Sequence, residues 1–262
     1  MFDKDRTGTG TREWSEFSFN VGRGCSNNCL YCYARSNALR YKTIDDPAEW
    51  TKEVVSEKAI DRAGSKRSGV IMFPTTHDIT PTYLEPSIKA LKKMLAAGNN
   101  VLIVSKPRVE CISKICEELE EYKEQILFRF TIGTLNDTLI KTWEPGAPLS
   151  GERVGSLIYA YHKGFNTSVS MEPFLGDVGD VVFTFLKLEP FVNEKIWIGK
   201  MNKISSRVKE GSIEIKEAID LIETRQREEP IKWLYEVLRD HPKAAWKDSI
   251  KQVVGLDGVI HE

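Results

Sequence analysis

The 262-residue chain has no apolar run long enough to cross a bilayer, and its opening stretch, Met1 to Gly10, is polar and lacks the apolar centre of a secretory signal. The reading is of a cytosolic protein with no membrane partner. Charge of one sign is also missing. With 37 basic and 38 acidic residues the net charge is −1, so no global field favours nucleic acid, and only a local basic patch can do so. No internal repeat or low-complexity tract is present. Cysteine and histidine are scarce, at five and four. Three of the five cysteines crowd into eight residues, which argues against a disulfide framework and for a metal site in a reducing compartment. The length can bury a sizeable core as one α/β domain, alone or with an appendage.

The crowded three are Cys25, Cys29 and Cys32, at a C-x3-C-x2-C spacing in the stretch Gly24 to Ala34, with the aromatic Tyr31 directly before the last. Thiolates are soft ligands that suit iron–sulfur clusters and zinc. A closed site of either kind takes four protein ligands, and the local count stops at three. One way to complete it is a distant His or Cys on a zinc ion, which makes the protein a non-enzymatic metal-binding adaptor or interaction module. The other leaves one iron of a cluster open to a substrate or cofactor, which makes the site catalytic. Cys111 and Cys116 lie about 140 degrees apart around a helix, share no face, and read as core residues.

Along the chain, short apolar strands alternate with helices. Strands are expected at Glu16 to Gly22, Gly69 to Phe73, Val101 to Val104, Ile126 to Thr134, Thr167 to Met171 and Lys195 to Gly199. Helices are expected from Asp46-Pro47 to Ala63, Tyr83 to Ala97, Val109 to Gln125, Gly151 to Lys163 and Val178 to Val192. Such alternation argues for right-handed βαβ units and a parallel sheet buried on both faces. From Ile213 to Val254 the pattern is only helical, with Trp233, Leu234, Leu238 and Trp246 as docking residues. The expected division is residues 1–202 as the α/β domain and 203–262 as a C-terminal helical appendage.

In parallel α/β folds functional groups gather beyond the carboxyl ends of the strands. The cysteine loop follows the first strand, and the later strands end on Thr75, Thr76, His77 and Asp78; on Ser105 and Lys106; on Thr131 and Thr134; on Glu172; and on Lys200 and Asn202. A polar loop by itself is ordinary. Strand ends in phase with one cysteine loop describe a common rim.

The cysteine loop, with Tyr31 at its aromatic position, resembles that of the radical S-adenosylmethionine (SAM) enzymes. The resemblance covers about residues 14 to 202. It implies a partial (β/α)6 TIM-type barrel, a single [4Fe–4S] cluster on Cys25, Cys29 and Cys32, and SAM as the fourth ligand, cleaved reductively to a 5′-deoxyadenosyl radical that takes hydrogen from a substrate. It also implies an external one-electron donor such as a flavodoxin or ferredoxin. The Gly-Gly-Glu sequence that commonly binds the SAM amino group is replaced here by Pro74 to Asp78, which leaves Thr75, Thr76 or Asp78 for that contact. With Ser105-Lys106 after strand three, this arrangement is more similar to the spore photoproduct lyase group, in which Lys106 is placed to neutralise the SAM carboxylate. Thr131 corresponds to a small polar residue near the SAM ribose or sulfonium, and Glu172 to an acceptor for ribose hydroxyls or substrate. The stretch Ser170 to Gly176 also resembles a phage-associated group of radical SAM proteins. Cys111 or Cys116 as a hydrogen-donor thiol is the alternative to a core role. By this resemblance a nucleic acid is the leading substrate, with Arg62, Lys66, Arg67, Lys203, Arg207 and Lys209 as candidate phosphate contacts, and a nucleotide or other small metabolite, or a peptide or protein, are the alternatives. The reaction, of lyase or transferase type, and its catalytic residues stay open.

Overall fold

The computed structural model describes Phe2, residues 10–208 and residues 211–256. Its strands are β1 (Phe17–Ser18), β2 (Gly22–Arg23), β3 (Val54–Val55), β4 (Val70–Phe73), β5 (Asn100–Ser105), β6 (Ile126–Thr131), β7 (Asn166–Met171), β8 (Ile196–Ile198) and β9 (Ala244–Trp246). Its α-helices are α1 (Tyr33–Arg40), α2 (Glu57–Asp61), α3 (Pro81–Ala96), α4 (Val109–Glu118), α5 (Asp137–Trp143), α6 (Ser150–His162), α7 (Val178–Leu188), α8 (Ile204–Arg207), α9 (Ile213–Arg225), α10 (Glu228–Leu238) and α11 (Asp248–Val254).

Seven strands form one sheet in the order β1-β4-β5-β6-β7-β8-β9. Every neighbouring pair in it is parallel. The edges β1 and β9 do not pair with each other, so the sheet is open, as a partial barrel requires. Side chains alternate between its two faces. Ile71, Phe73, Val101, Ile103, Phe128, Phe130, Val169, Met171, Ile196 and Ile198 pack outward into the main core, against apolar stripes from helices such as Leu91 and Met94 of α3 and Leu157 of α6. The opposite phase, Val70, Met72, Leu102 and Leu127, packs with Phe2 and Trp14 on the inner face.

Three expectations need correction. Asp46 does start a turn, with a capping box to Glu49. The helix expected through Ala63 nevertheless stops at Thr51, because Val54–Val55 leaves to pair antiparallel with Gly22–Arg23, a β-branched pair suited to a strand. The segment from Ile213 to Val254 is not only helical, since Ala244–Trp246 adds a seventh parallel strand beside β8. Ile231, Leu234, Leu238, Trp246 and Ile250 join the main core, whereas Trp233, expected to dock, is 50% exposed. Cys111 and Cys116 are core residues, at 0% and 1% exposure.

Candidate active site

A cavity of about 490 Å³ opens beyond the carboxyl ends of the strands, and Cys25, Cys29 and Cys32 all line it. The inner-face phase of the sheet explains the strand-borne part of the remaining wall. Continuing each strand by two-residue steps from Met72, Val104, Ser170 and Ala245 reaches Pro74, Lys106, Glu172 and Lys247, all of which line the cavity together with Thr131 of β6. Ser105 is one residue out of that phase. It points to the other side and supports the rim from behind, donating to Asp78 Oδ1 at 3.1 Å and accepting from the Ile79 N–H at 3.0 Å. Tyr31, Thr75, Thr76, His77, Asp78, Lys200 and Asn202 also line the cavity. Thr134 does not; it is buried and donates to Asp180 at 2.7 Å.

The cysteine loop is held from several sides. Gly24 has φ of +91°, and a Cβ there would lie 2.1 Å from the Lys52 carbonyl oxygen, so only glycine lets the loop pass this close. Arg35 donates to Asn28 Oδ1 and to the Leu30 carbonyl, both at 2.8 Å. Arg108 donates to Asn27 Oδ1 at 3.0 Å and to the Gly146 carbonyl at 2.8 Å. Asp78 ties the loop to the strand ends. Its Oδ2 accepts from Asn27 Nδ2 at 2.8 Å and lies 3.9 Å from Cys25 Sγ, and its Oδ1 accepts from the Lys106 backbone N–H at 2.6 Å. Thr75 is likewise engaged, its hydroxyl accepting from Asn20 Nδ2 at 2.8 Å.

Behind the loop lies a buried ionic chain that sequence reasoning missed. Tyr31 donates to Glu144, and Glu144 pairs with Arg153, whose side chain is 0% exposed. Lys106 Nζ sits 3.9 Å from Asp78 and 4.0 Å from Glu144, and 5.6 Å from the Tyr31 ring centroid. Burial pulls the Lys106 ammonium down, but the facing Cys29, Tyr31, Asp78 and Glu144 hold it well above the ordinary lysine value. Burial pushes Asp78 up, yet Lys106 and the hydrogen bonds just described hold it below the ordinary carboxylate range. The one legible signal was Arg153. It falls on the buried stripe of α6 with Ser156, Leu157 and Ala160, a position where an unpaired cation is not tolerated.

A second ionic group stands on the β7 to β9 side. Register places Glu172, Gly199 and Lys247 next to one another, each directly after a paired residue. A Cβ on Gly199 would lie 2.9 Å from Glu172 Cγ and 3.0 Å from Lys247 Cβ, so the glycine is the gap across which Lys247 reaches Glu172, at 3.5 Å. Lys247 Nζ also pairs with Glu13 at 2.6 Å, donates to the Gly10 carbonyl at 2.9 Å and sits 4.0 Å from the Trp14 ring centroid. Burial raises the Glu172 carboxyl above its ordinary value, with Lys247 opposing.

The other candidate cations divide. Arg207 lines the cavity. Lys203 is exposed on the loop before α8, and Lys209 lies outside the described residues. Arg62, Lys66 and Arg67 precede β4, at the amino end of the sheet, and none lines the cavity.

The wall suits a soft metal group. Burial pushes the Cys25 thiol up to about 12 and the Cys29 thiol well above its ordinary value, and coordination to a cation deprotonates such a thiol outright. The Trp50 indole N–H, in the same wall, is buried without an acceptor. Among the described residues no three His, Cys, Asp or Glu converge on one point as a single ion needs. A cluster is wider, and each thiolate in it meets its own iron.

No family model matches the chain. It is 28% identical over 177 residues to an uncharacterized protein of Acidianus two-tailed virus, a match covering 63% of this chain and 58% of that protein, so the chain spans less than two thirds of this relative. It is 24% identical over 187 residues to an uncharacterized protein of Methanocaldococcus jannaschii, covering 68% of each. Among solved structures, a mutant spore photoproduct lyase with bound AdoMet and dinucleoside spore photoproduct superposes with a TM-score of 0.57 at 14% identity, covering 93% of this chain and 78% of that one. Streptococcus suis SuiB bound to S-adenosylmethionine gives a TM-score of 0.52 at 10% identity, covering 90% and 52%. Among the described residues no helix is long and apolar enough to cross a membrane. In fold, the chain is similar to spore photoproduct lyase and to SuiB, an open parallel α/β sheet of the partial TIM-barrel kind.

Proposed function

We propose that the chain is a radical SAM enzyme in which Cys25, Cys29 and Cys32 hold a [4Fe–4S] cluster and the adjoining cavity takes SAM with a nucleic-acid or nucleotide substrate. The observation that carries this reading is the meeting of the three cysteines with the inner-phase strand ends around one cavity of about 490 Å³, a volume in the range of small-molecule sites. When bound, the cluster and SAM supply one-electron cleavage of the sulfonium bond and the hydrogen-abstracting chemistry that follows.

The protein's own contribution is positional and electrostatic. Asp78, Arg35 and Arg108 fix the loop, so the thiols need little rearrangement on metal binding. Lys106 places a fixed positive charge near Cys29 and Tyr31, which favours thiolate over thiol. Thr75, Thr76 and Thr131 line the pocket as short polar groups for the cofactor, and Glu172 lines it from β7 as an acceptor. Electrons come from an external donor such as a flavodoxin or ferredoxin, in a reducing, cytosolic compartment.

Anaerobic reconstitution with iron and sulfide tests the reading. The protein should gain broad absorbance near ~400 nm and, with a strong reductant, convert SAM to 5′-deoxyadenosine. Retention of that activity in Cys29→Ala would falsify it. One zinc and no iron in protein purified without oxygen would favour the metal-binding adaptor instead.

A further inference from the structure

The charged side chains in and behind the cavity wall fall into three groups. Lys106 is shared by Asp78 and Glu144, and Arg153 takes the other side of Glu144. Lys247 is shared by Glu13 and Glu172. Lys200 and Arg207 also line the cavity, and among the described residues neither side chain has a carboxylate within ion-pair distance. Burial alone pulls Lys200 below the ordinary lysine value, as expected of a cation without a counter-ion.

Both are mounted rigidly. The Lys200 backbone N–H donates to Ser249 Oγ of α11 at 3.0 Å. The next N–H, of Met201, donates to the Gln226 side chain at 2.8 Å, and Gln226 in turn donates to the Phe174 carbonyl at 2.9 Å. Around Arg207, Ile204 and Val208 pack with Cys29, Tyr31 and Met201, which seats α8 over the cysteine loop, and the guanidinium lies 6.0 Å from the Tyr33 ring centroid. Side chains from the C-terminal segment thus hold two cations at the cavity: Lys200, with no opposing charge, and Arg207, on which Cys32 and Glu172 act although no carboxylate lies within ion-pair distance.

We propose that Lys200 and Arg207 form an anion subsite for a phosphate group of the substrate. The inference rests on the radical SAM reading above and names the ligand chemistry at that site. The cofactor is a poor match for a pair of cations, because its sulfonium already balances its single carboxylate and it carries no net negative charge whether or not its amino group is protonated. A phosphate brings one to two negative charges and acceptor oxygens that suit both a guanidinium fork and an ammonium. A free nucleotide and a nucleic-acid strand both supply that group.

Equilibrium binding to the anaerobically reconstituted protein tests the proposal, with thymidine, thymidine 5′-monophosphate and a short single-stranded oligothymidylate as probes. The monophosphate should bind at least about tenfold tighter than thymidine, a preference that weakens as salt is added. In the double variant Lys200→Gln/Arg207→Gln that preference should vanish. In Lys200→Arg/Arg207→Lys, which keeps both charges, it should persist, so a folding defect is told apart from loss of the subsite. An oligonucleotide that binds tighter than the monophosphate assigns the phosphate to a strand, and equal binding assigns it to a free nucleotide; either supports the subsite. Equal binding of thymidine and its monophosphate, or a double variant that loses SAM binding while keeping phosphate preference, overturns it. SAM cleavage by the wild-type protein is read separately, so failure of the subsite is distinguishable from failure of the radical SAM reading.

Discussion

Asp78 is the group on which the cysteine loop and the strand ends both depend, and its removal has a calculable cost. In Asp78→Ala the Asn27 side chain and the Lys106 backbone N–H lose their acceptor and the Ser105 hydroxyl loses the nearer of its two, while Lys106, whose side chain is 12% exposed, loses the nearer of its two carboxylates. Removing one member of a buried pair costs about 3–5 kcal/mol. Glu144 remains 4.0 Å from Lys106, so the lower end applies, about 3 kcal/mol. For a chain of this size that is a drop of about 6–12 °C in melting temperature. Asp78→Asn keeps the shape but turns one acceptor oxygen into a donor facing a donor, and should cost about 2 kcal/mol. Urea unfolding of the metal-free protein measures both, and iron bound per chain after reconstitution measures the effect on the loop. Because the folded Asp78 carboxyl is depressed, its contribution is complete above its ordinary value of 3.8 and is lost as pH falls below that value. The acid limb of the stability curve should therefore be shallower in Asp78→Asn. An Asn variant within 0.5 kcal/mol of wild type that binds iron normally would refute the positioning role, as would additivity of Asp78→Ala with Lys106→Met, since residues in contact should couple.

Other expectations follow from the same geometry. Glu144→Gln should destabilise by about 3 kcal/mol or more because Arg153 is left buried without its carboxylate, whereas Tyr31→Phe should cost only about 1 kcal/mol; thermal unfolding separates them. Gly199→Val should cost about 1–3 kcal/mol, since its side chain must displace Glu172 and Lys247; unchanged stability and substrate affinity would show that the gap is not needed. Burial holds the His77 ring below its ordinary value of 6.5, so stability should fall as pH drops from about 6.5, and urea midpoints at successive pH values should lose that slope in His77→Phe.

The sheet was legible because its middle strands are unbroken apolar runs such as Val101 to Val104, which have no other use in a polar chain. β9 was not, because Ala-Ala-Trp carries neither length nor β-branching, and only a partner strand makes it extended. The helix expected after Asp46 failed in another way. Its capping box is real, but local capping does not say how far a helix continues, and Val54–Val55 had a strand waiting at Gly22–Arg23. At the site, the cysteines were visible through spacing alone, and counting in twos from the strand interiors separates Lys106 and Glu172 from Ser105. Glu144 and Lys247 were hidden because their meaning lies in partners more than a hundred residues away in sequence, Tyr31 and Glu13.

The place of β9 bears on how the protein is made. β4 through β9 follow one another in the sheet as they do along the chain, so the sheet can grow in the order in which it is translated. Lys247 is then the last wall residue to arrive, and until it does, Glu13 and Glu172 face each other's neighbourhood without their shared cation. The pocket exists only once β9 has been made and has joined the sheet. A ribosome-bound intermediate has its cysteines long before it has a chamber to put them to use.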